Sequence, residues 1–236
     1  MRFDQPLIAA TLIKRYKRFL ADVRLDNGDE LTVHCPNSGS MRGCSTPGSR
    51  VYLSTSVNPK RKYAQTLEMI QEQGVMIGVN TTRTNHLVAE AIRDGQIAEL
   101  QGIESIRPEV TTAPGHRLDF LLQRQEKSIY VEVKNCSLAE GQTALFPDAI
   151  TKRGTKHLLE LARLAKEGHQ AVIFFCIQRS DTSIFQPAAH IDPVYAETLT
   201  NVCKQGVEIL AYEAVVNTQE IRIVRGLPCQ LDSREP

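Results

Sequence analysis

The stretch Ile129-Tyr130-Val131-Glu132-Val133-Lys134-Asn135 restricts the possible folds more than any other. Side chains alternate faces along a strand, so Glu132 and Lys134 share one face while Ile129, Val131 and Val133 share the other. The apolar set demands a core, and the polar set then sits on a sheet face with a neighbour. If 117–123 and 128–134 form a hairpin, Asp119 of Arg117-Leu118-Asp119-Phe120 comes beside Glu132. Two carboxylates and an ammonium then lie in one patch, a cradle for a divalent cation next to a phosphodiester. Asp119 and Glu132 are the expected ligands, joined by the Val133 carbonyl, with Mg²⁺ or Mn²⁺ as the hard cation that oxygen donors suit. Lys134 is the expected group for positioning water and balancing negative charge. Taken alone, the pattern equally describes an ordinary ion pair on a strand.

The segment that follows favours the chemical reading. Thr151-Lys152-Arg153-Gly154-Thr155-Lys156-His157 opens a helix expected over 149–167, which stacks Arg153 on His157 and Lys152 on Lys156 at i and i+4. Arg153, Lys156 and His157, with the amides of a helix start, are candidates for gripping phosphates. An earlier helix is expected after Thr81, Thr82 and Thr84, with Leu87, Val88, Ala91 and Ile92 as its apolar stripe and Glu90 at the edge of that stripe. Strands around 117–123, 128–138, 170–178, 207–216 and 220–225, with helices at 149–167 and 192–205, imply a mixed sheet flanked by helices. Gly168 and Gly206 are placed to stop the two later helices.

Upstream of residue 80 the pattern is different. Thr11 to Leu25 and Glu30 to Cys35 read as strands joined by an Asn27-Gly28 turn, followed by turn residues 36–43 and a strand from Arg50 to Val57. This grammar suits a five-stranded oligonucleotide-binding barrel. Residues 1–65 carry eleven Lys/Arg against five Asp/Glu, although the whole chain is only +1. That excess suggests a polyanionic partner, with Lys14, Arg15, Lys17, Arg18, Arg42, Lys60, Arg61 and Lys62 as candidate nucleic-acid contacts. The chain is therefore expected to be α+β, with an oligonucleotide-binding-like barrel in 1–80 and an α/β domain in 81–236.

Six cysteines without a C-x-x-C pair read as reduced, buried thiols rather than a disulfide frame. Pro6 to Ile13 makes a poor signal peptide, and no apolar run approaches a membrane span. A cytoplasmic protein without membrane contact is expected.

Longer strings carry a resemblance. Arg117-x-Asp119-Phe120, Tyr130-Val131-Glu132-Val133-Lys134 and Phe146-Pro147-Asp148-Ala149-Ile150-Thr151-x-Arg153-Gly154-x-Lys156-His157-Leu158 resemble the bacterial sugar fermentation stimulation protein A family. So do Lys14 to Val23, His34-Cys35-Pro36-Asn37-Ser38-Gly39 and His190-Ile191-Asp192-Pro193. The resemblance implies an N-terminal oligonucleotide-binding barrel and a PD-(D/E)xK nuclease-like domain whose motif falls on Asp119, Glu132 and Lys134, with Glu90 as the helix acid. It implies DNA binding without sequence preference and a link to the regulation of sugar use, maltose in particular. The motif departs from its name, because Leu118 rather than Pro precedes Asp119. Three functions follow as expectations: a metal-dependent nuclease acting on DNA, with RNA as an open alternative; a non-catalytic DNA-binding regulator on the same scaffold; and an oligosaccharide sensor, disfavoured by the absence of Trp.

Overall fold

Alternating burial in the first 80 residues bends the chain into a closed sheet. The computed structural model describes residues 1–231. Strands β1 (Ile8–Tyr16), β2 (Leu20–Leu25), β3 (Glu30–His34), β4 (Arg50–Thr55) and β5 (Gln65–Glu72) run in the order β3-β2-β1-β4-β5, and a parallel bridge between His34 and Thr66 closes β3 onto β5. A short β6 (Val75–Gly78) forms a hairpin with β5. Ala10, Leu12, Val23, Val33, Val51, Leu53 and Leu67 fill the five-stranded barrel. Gly28, at φ +93°, makes the expected turn between β2 and β3.

The expected single strand over Thr11 to Leu25 is corrected to β1 and β2. They fold back on each other through Lys17 and Arg18, both in the left-handed region at φ 49° and 62°. Neither residue type signals such a turn. The pairing of Tyr16 with Leu20 fixes it from outside the turn.

After β6 the chain forms α1 (Thr84–Arg93), β7 (Ser105–Ala113), β8 (His116–Arg124), β9 (Lys127–Cys136), β10 (Leu138–Glu140) and β11 (Thr143–Phe146). It continues through α2 (Lys152–Lys166), β12 (Gln170–Ile177), β13 (Ile184–Pro187), α3 (Pro193–Lys204), β14 (Glu208–Val216) and β15 (Ile221–Gly226). The large sheet has the order β15-β14-β12-β9-β8-β7. β9, β12 and β14 are parallel and the outer pairs antiparallel, as a mixed sheet requires. β12 is buried on both faces, like other parallel strands under helices. Val172, Phe174 and Cys176 meet the α1 side, and Ala171, Ile173, Phe175 and Ile177 meet α2 and α3. β10, β11 and β13 form a separate small sheet that the sequence pattern did not disclose.

Local signals explain the helix ends. Thr151 accepts a hydrogen bond from the Gly154 amide at the start of α2, and Asp192 accepts from the Tyr195 amide with Pro193 at the first position of α3. Asp192 also accepts from the Thr151 amide at 2.8 Å, tying the two helix starts together. Asn80, rather than one of the three threonines, caps the turn that leads into α1. Gly168 and Gly206 take φ of +90° and +99° just past α2 and α3. All six cysteines are free thiols.

The barrel is seated on the α1 face of the large sheet, where Met69 of β5 joins that core. Gly78 donates to the Gln178 carbonyl at 2.9 Å, and a Cβ on Gly78 would lie 2.2 Å from the Gln178 amide oxygen. Nearby, the fully buried Glu68 accepts from Ser54, Asn80 and both arms of Arg83. Glu68→Ala removes every one of these acceptors and strands the Arg83 charge. Because the Arg83 side chain is one-third exposed, the expected cost is about 3 kcal/mol, the low end for a broken buried pair. Urea unfolding checks this, and a loss below about 1 kcal/mol, the level of an exposed pair, would contradict it.

Candidate metal and phosphate site

The β8–β9 hairpin opens where the chemistry is placed. Ladder pairing runs from Arg124 opposite Lys127 to Phe120 opposite Val131 and stops there. Beyond that point the Val133 amide donates to Asp119 Oδ2 at 2.7 Å, so a side-chain carboxylate replaces the backbone acceptor a continued ladder would supply. This bond brings Asp119 against β9 beside Glu132. The other carboxylate oxygen, Oδ1, accepts from Asn85 Nδ2 of α1 at 2.8 Å.

Glu132 is 3% exposed, and its Oε1 is the shared partner of Lys134 Nζ and His157 Nδ1. Arg153 Nε donates to His157 Nε2 at 3.4 Å. With an acceptor on one side and a donor on the other, this network fits the neutral imidazole that carries its proton on Nδ1. Oε2 of Glu132 is buried and has no hydrogen-bond partner among the described residues. Burial penalises the Glu132 carboxylate, but the bond from His157 and the Lys134 charge outweigh it and hold its pKa below the ordinary glutamate value. Asp119 goes the other way: burial and then repulsion from Glu132 raise its pKa, against the opposing bonds from Val133 and Asn85.

α2 flanks the pair. Arg153, Lys156 and His157 line one wall of a groove of about 780 Å³, together with Lys152. His116 and Arg117 from the β7–β8 end line the other. Among the described lining residues none is acidic, although Arg117 pairs with Glu109 and His116 with Glu160 outside the groove. His116 and Arg117 are contacts that the sequence pattern does not disclose, because their convergence on α2 depends on α2 crossing β8.

Two expectations change. Glu90 does not join the pair: its carboxylate accepts from the Met1 amino group at 2.5 Å and lines a separate depression with Arg222. It lies five residues beyond Asn85, about 140° further round the helix. Asn85 is therefore the α1 side chain that reaches Asp119. The other change concerns Arg15, whose guanidinium donates to the carbonyls of Arg18, Asn37 and Gly39 at 2.7–2.9 Å and holds the 37–40 loop in place. The remaining barrel cations do not form one patch. Lys14 pairs with Asp22, Lys17 and Arg18 occupy the β1–β2 turn, and Arg42 is exposed in the loop after β3. Lys60, Arg61 and Lys62 occupy the β4–β5 loop, where Arg61 lies 3.2 Å from His34.

Comparison with known proteins now decides the family. Residues 13–79 match the model of the SfsA N-terminal OB domain, and residues 82–220 match that of the sugar fermentation stimulation protein RE domain. The chain belongs to the sugar fermentation stimulation protein family. It is 55% identical to the homolog from Desulfotalea psychrophila, covering 98% of this chain and 96% of that one. The homolog from Pelobacter propionicus is 54% identical, with 94% and 97% covered. The structure of Pyrococcus furiosus SfsA in complex with Ca²⁺ superposes with a TM-score of 0.90 at 28% identity over 98% of both chains. Among the described residues of this family member, no helix is long and apolar enough to cross a membrane.

If Arg15 organises the loop rather than contacting a ligand, Arg15→Lys removes most of its carbonyl contacts. Each charge-assisted bond is worth about 1.5–3 kcal/mol, so amide hydrogen exchange over 37–41 should accelerate by about ten-fold or more. Lys17→Ala should leave exchange there unchanged, and equal behaviour of the two variants would refute the role.

Proposed function

We propose that this chain is a divalent-metal-dependent phosphodiesterase acting on nucleic acid, with DNA as the first expected substrate. The observation that carries the reading is the buried Glu132 Oε2, without a partner among the described residues, beside an Asp119 whose ionisation is penalised by burial and then by that same neighbour. A buried polar atom without a partner costs free energy unless something satisfies it. A cation between the carboxylates supplies a partner and removes their repulsion, so the donor set fits a hard metal ion.

Asp119, Glu132 and the Val133 carbonyl would hold the ion. Among the described residues no group of three or more His, Cys, Asp and Glu is placed to bind a metal, so water or substrate oxygens complete the shell, as Mg²⁺ sites commonly require. When bound, the ion supplies an acidified water and neutralises phosphate charge. Lys134 has its ammonium on Glu132 and is placed to orient that water and stabilise charge developing on phosphorus. Arg153 and Lys156 hold the flanking phosphates, and Asn85 keeps Asp119 turned toward the pair.

A relative of known structure is described in complex with Ca²⁺, which supports a divalent ion here without fixing Mg²⁺ or Mn²⁺. The family's name supports a link to sugar fermentation, and the reading assigns regulation of maltose use as its physiological setting. The non-catalytic alternative is favoured by one feature, the engagement of Glu132 Oε1 by both Lys134 and His157. That engagement satisfies Oε1 with or without turnover.

Two measurements test the reading. Ca²⁺, Mg²⁺ or Mn²⁺ should raise the melting temperature of the wild-type chain, by about 2.7 kcal/mol of stabilisation at a hundred-fold excess over Kd. Asp119→Ala should abolish that rise. In Mg²⁺ or Mn²⁺ the protein should cleave DNA, and Lys134→Ala should lower the rate by about a hundred-fold or more, the scale for losing one charge-stabilising group. Cleavage that survives both substitutions would overturn the assignment of these residues, and metal binding without turnover would leave the non-catalytic scaffold as the function.

A further inference from the structure

The barrel does more than adjoin the carboxylate pair: it walls a cleft beside it. Asn37, Ser38 and Gly39 on the barrel side face Lys134, Ile150 and Arg153 across a cavity of about 390 Å³, with Arg18 at its edge. The two walls are joined. Ser40 Oγ donates to the Asp148 carbonyl at 2.6 Å, and the Met41 amide donates to Asp148 Oδ2 at 2.8 Å. A Cβ on Gly39 would lie 2.8 Å from the same carboxylate, so the approach needs a glycine there. Arg15 holds the loop from behind through the Asn37 and Gly39 carbonyls. Inside the cleft Ile150 is 73% exposed, an apolar side chain among cations. Arg153 lines both this cleft and the basic groove along α2, and Lys134, whose ammonium bonds Glu132, lines the cleft.

We propose that this cleft receives one unpaired nucleotide, so that the strand presented to the carboxylate pair is single-stranded. The inference rests on the phosphodiester reading of the site above. The cavity falls at the lower end of the roughly 300–1,000 Å³ that encloses a small ligand, which suits one nucleotide and not a stacked base pair. Because hydrogen bonds to Asp148 join the walls, a double helix cannot be laid between them. The cations Arg18, Lys134 and Arg153 match a phosphodiester backbone, and Ile150 offers the base an apolar contact. Ser38, exposed on the barrel wall, can meet base edges, a mix typical of single-strand grooves.

Fluorescence anisotropy in Ca²⁺ and in chelator tests this, with short labelled oligonucleotides of one sequence as single-stranded DNA, single-stranded RNA and blunt DNA duplex. Either single strand should bind about ten-fold more tightly than the duplex, the scale of losing one base contact. The DNA and RNA arms identify which sugar the cleft prefers. Ile150→Ala should weaken single-strand binding about five-fold, as expected for part of a buried isoleucine, and leave duplex binding unchanged. Asp148→Ala should release the loop and shrink the single-strand preference, whereas Asp148→Asn, which keeps an acceptor for Met41, should restore it. Equal or tighter duplex binding, or a preference untouched by Asp148→Ala and Ile150→Ala in folded protein, would overturn the proposal. Failure of the two ideas is distinguishable. Single-strand preference without cleavage in any metal sinks the enzymatic reading and leaves the cleft. Cleavage of blunt duplex as fast as single strands sinks the cleft and leaves the enzyme.

Discussion

The hydrogen bond from the Val133 amide to the Asp119 carboxylate is where sheet and site become one object. An antiparallel ladder satisfies its amides with carbonyls. Here the ladder yields one position to a side chain, which draws Asp119 inward until it faces Glu132. Everything around the pair answers the resulting charge problem. Two buried carboxylates cannot sit together without donors or cations, and Asn85, Lys134 and His157 each meet part of that demand. They come from α1, β9 and α2, so the pair can be assembled only once helices pack on both faces of the sheet. Among the described residues one carboxylate oxygen still has no partner, and in the proposed function a cation would meet that demand.

This dependence explains what could be read from the sequence. The alternation of Ile129, Val131 and Val133 against Glu132 and Lys134 fixed the strand's two faces, and those three residues lie in the α1-side core. The hairpin with β8 follows from two apolar runs separated by a short polar turn. Arg153 and His157 stack at i and i+4 because α2 is an ordinary capped helix. These features are local, and local periodicity reports them. Glu90 and Asn85 differ in a way that periodicity does not report. Both lie on the polar side of one amphipathic helix, and which of them reaches Asp119 depends on how α1 is rotated against β8 and β9. The β1–β2 turn is hidden for a related reason, because cross-strand pairing rather than the preference of Lys17 and Arg18 imposes their positive φ. β10, β11 and β13 are three or four residues long, too short for a period to register.

Charge counting was the least discriminating guide. The basic excess in 1–65 suggests a polyanionic partner, and the structure divides those side chains among different tasks. Arg15 is a frame for a loop, Lys14 and Arg24 pair with acids across strands, and Arg50 is bidentate to Asp26. A guanidinium has several donors in a fixed fork, so it serves as readily to hold carbonyls as to hold phosphates. What separates the two uses is whether neighbouring backbone already consumes those donors. Arg18 and Arg153 stand at the cleft and groove with their charge facing open space, whereas Arg15 is enclosed by the loop it supports.

In the proposed function the arrangement also gives the barrel a specific part. An oligonucleotide-binding barrel beside a metal site could act only as a tether, raising local substrate concentration. In this chain the 37–41 loop reaches across to Asp148, and Gly39 permits an approach that any larger residue would block. Those contacts place the barrel's loop within the wall of the cavity that adjoins Lys134. A tether would need no such contact, and a substitution in that loop would leave substrate choice unaltered. On the proposed reading, a barrel that forms part of the wall would determine which nucleic-acid shapes reach the carboxylates at all, and specificity would be set at the junction of the two sheets rather than on either one.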